Sequence, residues 1–393
     1  MTNERDAARR SATGTVIDLD RAATTPVHPE VLAAMLPWFS ASAGNPSSLH
    51  GAGRAARRAV EDAREHVAAA LEATPRQVVF TSGATEALHL AVLGSLALRP
   101  GAHIVASAAE HAALLEAVRT AARRGHPVTW VPSEPDGRIA NHALVAALRD
   151  DTALVAVMRT NNETGVQNDL APLREHFEAR GVRVLVDAVQ SFGLERVGLE
   201  PCGADLLVVS SHKVEGPKGC GVLLLGDGVA VEPQQRGGGQ ERGLRGGTVD
   251  VPAVVGFGRA ALRSTTWRER SARVSALRDR FQHGVCAIGG VTVHGSGAPR
   301  GPKHVHVHVG EIDGETLLIN LDREGVLASA GSACAAGSLE PSHVLRAMGR
   351  SEAVARASVR FSLGDHLDEA TIDEAVLRVR RAVRTTRGLE GAA

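Results

Sequence analysis

The sequence predicts an α/β fold built on a mostly parallel β-sheet with helices on both faces. The 393-residue chain is 44% hydrophobic and 22% charged, which is ordinary for a globular protein and long enough for two domains. Between about residues 50 and 230, short apolar segments alternate with alanine-rich amphipathic segments. Strands that are apolar along their whole length, each followed by a helix, are typical of a parallel sheet buried on both faces.

The predicted elements alternate between helix and strand. Residues 50–73 (HGAGRAARRAVEDAREHVAAALEA) have the apolar spacing of an amphipathic helix. Further helices are predicted over residues 84–98 and 112–124, and one long helix over 255–288. Seven strands are predicted, over residues 77–81, 102–107, 128–131, 152–160, 183–187, 206–210 and 221–225. Functional side chains are expected where these strands end, at the carboxyl edge of the sheet.

A change in composition divides the chain. The glycine-rich segment 237–247 is followed by the long helix, further strands, a Gly/Ser/Ala loop near 329–338 and C-terminal helices. We predict that residues 1–25 form an N-terminal segment that partly joins a smaller domain. Residues 26–262 are predicted to form a large domain, and residues 263–393 the small C-terminal domain.

Charge and cysteine content exclude several classes of protein. Basic and acidic residues are equal in number, 44 each, which leaves no basic surface for nucleic acid or an anionic membrane. The four cysteines lie far apart without a CxxC pair, which argues against a disulfide scaffold and for a reducing compartment. The first residues lack the apolar stretch of a signal peptide, and no apolar run approaches the roughly 18 residues of a membrane span. We therefore expect a cytoplasmic protein.

Lysine is scarce, and its positions matter. Only Lys213, Lys218 and Lys303 are lysines among the 44 basic residues. Arginine cannot replace an amine nucleophile, so each lysine is a candidate for chemistry. Lys213 stands out because it follows the strand LLVVS in the sequence Ser-Ser-His-Lys, where partial burial would make its amine reactive.

An earlier predicted strand ends at an aspartate. The segment VRVLVDAVQ carries Asp187 at its strand end, followed by Gln190. A lysine and an aspartate at two strand ends are what a pyridoxal phosphate (PLP) site needs, because the amine binds the aldehyde carbon and the carboxylate keeps the pyridine nitrogen protonated. Taken singly, Asp187 is better explained as a helix N-cap and Lys213 as part of a surface loop. Their combination favours the cofactor site.

The segment Thr81–Glu86 (TSGATE) predicts a site for the cofactor phosphate. A strand runs here into a glycine and then into a helix that begins at Ala84. Free N–H groups and the helix dipole attract an anion at such a junction, and Thr85 adds a hydroxyl. Alone this pattern is weak, because many helices begin Ser-Gly-x-Thr. Ser210 and His212, beside the candidate lysine, would complete the phosphate site.

Ten longer stretches carry a family resemblance. They are AATTPVHPEV, GNPSSLHGAGRAARRAVEDAR, TSGATEA, AEHAALLE, NNETGVQ, VDAVQSFG, SSHKVEGPKGCGVLL, GGGQERGLRGGT, SAGSACAAGSLEPSHVLRAMG and VRFSLG. Together, from about Asp18 to Gly364, they resemble the cysteine desulfurases of the NifS/IscS type, which are fold-type I, class V aminotransferase-like PLP enzymes. The resemblance implies a large PLP-binding domain with a mostly parallel seven-stranded sheet, and a smaller α/β C-terminal domain that carries a catalytic cysteine.

The resemblance implies a set of cofactor contacts. Lys213 would bind PLP covalently and move the α-proton of the substrate, Asp187 would pair with the pyridine nitrogen, and Gln190 would bond the phenolic oxygen. His111, in AEHAALLE, would stack on the ring and handle protons. The phosphate ligands would be Ala84, Thr85, Ser210 and His212.

Other residues would face the substrate or a second subunit. Asn162, in NNETG, would contact cofactor and substrate. Arg360 would clamp the substrate carboxylate, a task that suits a bidentate guanidinium. Thr248 would reach the phosphate of the other subunit, so the resemblance implies a homodimer.

Cys334, in AGSACAAGS, is the implied nucleophile. From the residues alone, a cysteine in a loop of small residues is more often structural, although its neighbours provide no packing anchor and suit a moving nucleophile. In the family this cysteine attacks the sulfur of bound L-cysteine, giving L-alanine and an enzyme persulfide for a sulfur-acceptor protein. We interpret Cys202, Cys220 and Cys286 as structural.

Several alternatives stay open at the level of sequence. One is a selenocysteine lyase or another class V aminotransferase-like lyase, and another is a cofactor-bearing scaffold that docks an acceptor. The sulfur could serve iron–sulfur clusters or the thiolation of tRNA or DNA. His304, His306 and His308 alternate along a strand in a pattern that zinc sites use, but no acidic residue or cysteine adjoins them in sequence. An ordinary strand without metal is therefore favoured.

Overall fold

The computed structural model of the protein describes residues 15–310, 312–331 and 341–388. Its strands are β1 (Ile17–Asp18), β2 (Val78–Thr81), β3 (His103–Ser107), β4 (Val128–Val131), β5 (Thr152–Met158), β6 (Arg183–Asp187), β7 (Leu206–Ser210), β8 (Gly221–Leu225), β9 (Val291–Val293), β10 (His304–Val309), β11 (Val326–Leu327), β12 (Ser329–Ala330) and β13 (Ser358–Ser362). Its described α-helices are α1 (Pro29–Met35), α2 (Gly51–Ala70), α3 (Ala84–Ala97), α4 (Ala112–Arg123), α5 (Asn141–Ala146), α6 (Arg174–Ala179), α7 (Val251–Arg263), α8 (Trp267–Cys286), α9 (Gly314–Arg323), α10 (His343–Ala347), α11 (Glu352–Arg356) and α12 (Glu369–Thr386).

The central sheet has seven strands in the order β2-β8-β7-β6-β5-β3-β4. Strand β8 runs antiparallel to both of its neighbours, and the other pairs are parallel. All seven predicted strands are present, with ends within two residues of the predicted ones. The predicted mostly parallel seven-stranded sheet is confirmed.

Helices cover both faces of this sheet. Along β5, Val155 and Val157 belong to one apolar core and Leu154 and Ala156 to the other, as the alternation of side chains in a strand requires. Helices α2 and α7 pack in the first core, and α3 and α4 in the second. The predicted α/β class is therefore confirmed.

A smaller sheet lies in the C-terminal part of the chain. Its order is β12-β13-β10-β9, and all of its pairs are antiparallel. A third apolar core, formed chiefly by β10, β13, α8 and α12, also takes in Ile17 and Leu19, and β1 pairs in parallel with β11. The limits drawn for the two domains from the sequence stay a prediction.

The single long helix predicted over residues 255–288 is wrong. Helix α7 ends at Arg263, the residues Ser264–Thr266 form a 3₁₀ turn, and α8 begins at Trp267. The three hydroxyl groups of this turn donate to the main-chain carbonyls of residues 260, 262 and 263, at 2.7 to 3.1 Å. Such side-chain bonds compete with regular helical bonding, so they mark the break. The short helices α1, α5 and α6 were not predicted.

None of the helices in the described part of the chain is long and apolar enough to cross a membrane.

The close packing of α2 on α7 gives a test of the fold. A Cβ added at Gly258 in α7 would lie 2.6 Å from Ala63 Cα in α2. We expect Gly258→Ala to lower the free energy of unfolding by about 1–3 kcal/mol, because the two helices must move apart. Urea unfolding followed by circular dichroism measures the change. Gly51→Ala is the control, since a Cβ there meets nothing within 4 Å, and an equal loss in both variants would contradict this account.

Candidate active site

A cavity of about 510 Å³ opens at the carboxyl edge of the central sheet. The parallel strands β5, β6 and β7 end at its wall, and Arg360 of β13, in the small sheet, also lines it. The cavity is lined by ten of the residues predicted from the sequence: Ala84, Thr85, His111, Asn162, Asp187, Gln190, Ser210, His212, Lys213 and Arg360.

Strand register places the carboxylate and the amine. Asp187 is the last residue of β6 and lies opposite Met158 in β5 and Val208 in β7. Ser210 ends β7, and the 3₁₀ turn Ser211–Lys213 follows it directly. Two strands that end side by side therefore bring the predicted aspartate and lysine into one cavity.

The amine of Lys213 is held by main-chain carbonyls near the N-terminus. Its Nζ donates to Ala22 O at 2.6 Å and to Ala23 O at 2.7 Å. Gln190 Nε2 donates to the same Ala22 O at 3.0 Å, and Thr24 Oγ1 lies 3.1 Å from His212 Nδ1. The stretch AATT was noticed in the sequence, but its contacts were missed because carbonyl oxygens carry no residue-type pattern.

Asp187 is a buried carboxylate. Its Oδ1 accepts a hydrogen bond from Val189 N at 3.0 Å. Burial raises the pKa of Asp187 to about 6, while this hydrogen bond and the charge of Lys213 oppose the rise. A cationic group bound beside it would hold the carboxylate in its charged form.

The two histidines of the cavity are neutral near pH 7. Burial lowers the pKa of His111 to about 4, and the positive charge of Lys213 adds to the effect. Burial likewise lowers the pKa of His212 to about 4. His111 is also the N-cap of α4, where its Nδ1 accepts from Ala113 N at 3.1 Å, so its ring is fixed in place.

The start of α3 forms a part of the cavity wall that suits an anion. The N-cap residue of this helix is Gly83, and within the described structure no side-chain hydrogen bond caps the helix start. The first residues of the helix line the cavity. Gly221 in β8 packs against this turn so closely that a Cβ would lie 2.5 Å from Gly83 C. Helix N–H groups aimed into a cavity favour a bound anion.

Three buried polar atoms in the wall have no hydrogen-bond partner in the described structure: Asn162 Oδ1, Gln190 Oε1 and Arg360 Nε. Arg360 is otherwise engaged, because Nη1 donates to Asn162 O at 3.0 Å and Nη2 to Asp20 Oδ1 at 2.9 Å. Unpaired buried polar groups are costly, so their convergence on one cavity indicates a polar ligand there.

Comparison with known proteins identifies the family. Residues 17–374 match the aminotransferase class-V family. The chain belongs to this family. It is 43% identical to a protein named "Cysteine desulfurase IscS" from Anaeromyxobacter sp. (strain Fw109-5), over 94% of this chain and 93% of that protein. The resemblance to the NifS/IscS-type cysteine desulfurases, expected from the motifs, is thereby confirmed.

Solved structures agree with this assignment to the class-V aminotransferases. One described as "NIFS-LIKE PROTEIN" superposes with a TM-score of 0.88 at 30% identity, covering 94% of this chain and 100% of that chain. Another, described as "SspA in complex with cysteine", has a TM-score of 0.79 at 32% identity and covers 89% and 99% of the two chains.

Two predicted site residues do not line the main cavity of this class-V aminotransferase. Thr248 is exposed and lines a neighbouring cavity, which shares Ser82 and Gly219 with the main one. Cys334 lies outside the described residues.

The other two lysines lie closer to the site than the sequence indicated. Lys218 lines the main cavity. Lys303 is buried and shares a small adjoining cavity with Lys213. Burial lowers the pKa of Lys303 to about 7. The scarcity of lysine could have identified all three.

Strand β10, which carries the three alternating histidines, lies beside the site. His304 and His306 are fully buried in β10, and His308 is half-buried. Within the described residues no group of three or more His, Cys, Asp or Glu side chains is arranged as metal ligands.

Glu110 is a buried acid behind the cavity. Its Oε1 accepts from Met158 N at 2.9 Å. Burial raises the pKa of Glu110 to about 8, and the charge of Asp187 contributes. Glu110 is therefore protonated at neutral pH, which avoids a second negative charge beside Asp187.

Glu110→Gln tests this protonation through the pH dependence of stability. Between about pH 4.5 and 8 the unfolded chain releases the Glu110 proton and the native state keeps it. Native wild type therefore loses about 1.4 kcal/mol per pH unit relative to the neutral variant, and the difference is constant above that range. Urea unfolding of both proteins at pH 5, 7 and 8.5 measures it.

Glu178→Gln, at an exposed position of α6, is the control for the substitution itself. A difference between wild type and Glu110→Gln that stays constant from pH 5 to 8 would show that Glu110 is ionised in the native state.

Proposed function

We propose that this protein is a PLP-dependent cysteine desulfurase, which converts L-cysteine and the thiol of Cys334 into L-alanine and a Cys334 persulfide. The observation that carries the proposal is the convergence of Lys213, Asp187 and an uncapped helix N-terminus on one cavity. Relatives named cysteine desulfurases and a structural neighbour described in complex with cysteine support the choice of reaction and substrate.

The residues of the cavity fit PLP. The phosphate suits the start of α3, where Ala84 and Thr85 would hold it from one side, and Ser210 and His212 from the other. Asp187 would stabilise a protonated pyridine nitrogen, and His111, neutral and fixed by its N-cap bond, suits stacking on the ring.

The remaining polar groups fit the cofactor and the amino acid. Gln190 and Asn162 each have an amide oxygen without a partner in the described wall, and amide groups serve either as donors or as acceptors. Arg360 Nε, at the same wall, has no hydrogen-bond partner among the described residues. This arginine would bind the substrate carboxylate, which places the substrate beside Lys213.

PLP, when bound, supplies an electron sink for negative charge at the α-carbon of the substrate. Lys213 would hold the cofactor before turnover, and its Nζ would then move the α-proton. The Sγ of Cys334 would attack the Sγ of the substrate, so that an S–S bond forms as the substrate C–S bond breaks, and protonation of the remaining fragment gives L-alanine. Neutral His111 is suited to accept and return a proton in these steps.

The homodimer is part of the proposal. Thr248 lines the neighbouring cavity and is exposed, so it is free to reach the phosphate of a second subunit. Large apolar side chains at the surface also support an interface: Leu32, Leu36, Phe39 and Leu49. The free thiols Cys202, Cys220 and Cys286 fit a cytoplasmic location.

The persulfide would pass to a sulfur-acceptor protein. The balanced net charge of the chain argues against direct contact with nucleic acid. Iron–sulfur clusters and thiolated tRNA or DNA are the destinations that fit this chemistry.

Two variants test the proposed reaction. Lys213→Ala should abolish alanine formation, because the amine that moves the α-proton is lost. Cys334→Ala should retain the change in visible absorbance when L-cysteine is added, but form no persulfide. Alanine is quantified by chromatography, and the persulfide by alkylation and mass spectrometry.

Cys286→Ala is the matched control, because this exposed cysteine lies at the end of α8, away from the cavity lining. Full turnover of L-cysteine by Cys334→Ala would overturn the desulfurase and favour a lyase that needs no enzyme thiol, such as a selenocysteine lyase.

A further inference from the structure

One buried carboxylate contacts both described ends of the segment that carries Cys334. At the far end, Ser342 Oγ donates to Glu163 Oε2 at 2.5 Å. At the near end, a Cβ added at Gly331 would lie 2.5 Å from the same Oε2, so the Gly331 backbone packs directly on it. Glu163 is 1% exposed and Ser342 3% exposed. The residues between these ends, 332–340, are outside the described part of the chain.

The far end is fixed by further bonds. Ser342 Oγ accepts from Leu345 N at 3.1 Å and so caps α10 while it donates to Glu163. The neighbouring His343 Nε2 donates to Glu110 O at 2.8 Å. Two successive residues after the Cys334 segment, Ser342 and His343, are therefore hydrogen-bonded to Glu163 and Glu110.

Glu163 is joined to the substrate side of the cavity. It follows Asn162, whose carbonyl oxygen accepts from Arg360 Nη1 at 3.0 Å. Its own N–H donates to Asn161 Oδ1 at 2.9 Å, which fixes the turn. Glu163 thus connects the backbone beside the proposed carboxylate clamp with both ends of the Cys334 segment.

His306 completes the contact at the near end. It lies directly opposite Arg360 in the β10–β13 pairing. Its ring would be 2.9 to 3.0 Å from a Cβ at Gly331, and neither ring nitrogen has a hydrogen-bond partner among the described residues. Any residue larger than glycine at position 331 would therefore collide with both Glu163 and His306.

We propose that Glu163 is a positioning residue that ties the two ends of the Cys334 segment to the turn bearing Asn162, and thereby sets the approach of Cys334 to the substrate sulfur. This inference rests on the proposed function. Loss of the carboxylate leaves the Ser342 hydroxyl without its buried acceptor and removes the packing contact of Gly331, so each end loses one of its contacts.

The test separates sulfur transfer from the earlier steps. In Glu163→Ala, the absorbance change on adding L-cysteine should be retained, while the rate of Cys334 persulfide formation should fall by about tenfold or more. Glu163→Gln keeps an amide oxygen for Ser342 and should recover most of the rate. Stopped-flow absorbance measures the first step, and quenched-flow alkylation with mass spectrometry measures the second.

A second readout needs no cofactor. The test uses the cofactor-free full chain carrying Cys286→Ser. Of its three remaining cysteines, Cys202 and Cys220 are buried, and the third is Cys334. Iodoacetamide alkylation then reports Cys334, and its rate should rise about threefold or more in Glu163→Ala, because the segment has lost a contact at each end.

Ser342→Ala removes the same hydrogen bond from the other side and should reproduce both effects if Glu163→Ala fails to fold. Ser351→Ala is the matched control, because it removes the N-cap hydroxyl of the next helix, α11, without touching Glu163. Parental rates of persulfide formation and alkylation in Glu163→Ala and Ser342→Ala would overturn the positioning role, as would loss of the absorbance change in both. Absence of persulfide in the parent protein would instead overturn the proposed function.

Discussion

Parallel strands β5, β6 and β7 end at the same edge of the central sheet, and everything in the cavity depends on their register. Asp187, the last residue of β6, lies opposite Met158, the last residue of β5, and opposite Val208, which precedes the end of β7 at Ser210. A slip of one residue would turn its side chain to the other face of the sheet. Gly221, in the antiparallel β8, then lets the start of α3 approach this edge, because it has no side chain to hold the turn away.

The charges of the cavity favour an anionic ligand. Asp187 lines the cavity, and Glu110, the buried acid behind it, is neutral at pH 7 because burial and the charge of Asp187 raise its pKa. The histidines are neutral as well, since burial lowers the pKa of His111 and His212 to about 4. Cationic groups therefore outnumber ionised carboxylates along the wall. A ligand with a phosphate and a carboxylate matches that balance.

Prediction from the sequence succeeded where residue type and strand position coincide. Lys213 was identified because lysine is rare and follows an apolar strand, and the structure puts it in the cavity. The contacts of Ala22 O with Lys213 and Gln190 could not be predicted, because they join main-chain atoms to side chains 191 and 168 residues away. The sequence did not predict that Ser264–Thr266 ends α7. Three hydroxyl residues are compatible with a continuous helix, and only the structure shows that their side chains bond to main-chain carbonyls.

The alternating histidines of β10 are explained by the face of the strand on which they lie. His304, His306 and His308 are paired with Ser362, Arg360 and Ser358 of β13, and paired residues share a face of an antiparallel sheet. Burial holds the pKa of His304 and His306 well below the ordinary value, so both rings are uncharged. Carboxylates at these positions would add negative charge beside Arg360, whose Nη2 already donates to Asp20 Oδ1, whereas neutral imidazoles fill the same space without adding charge.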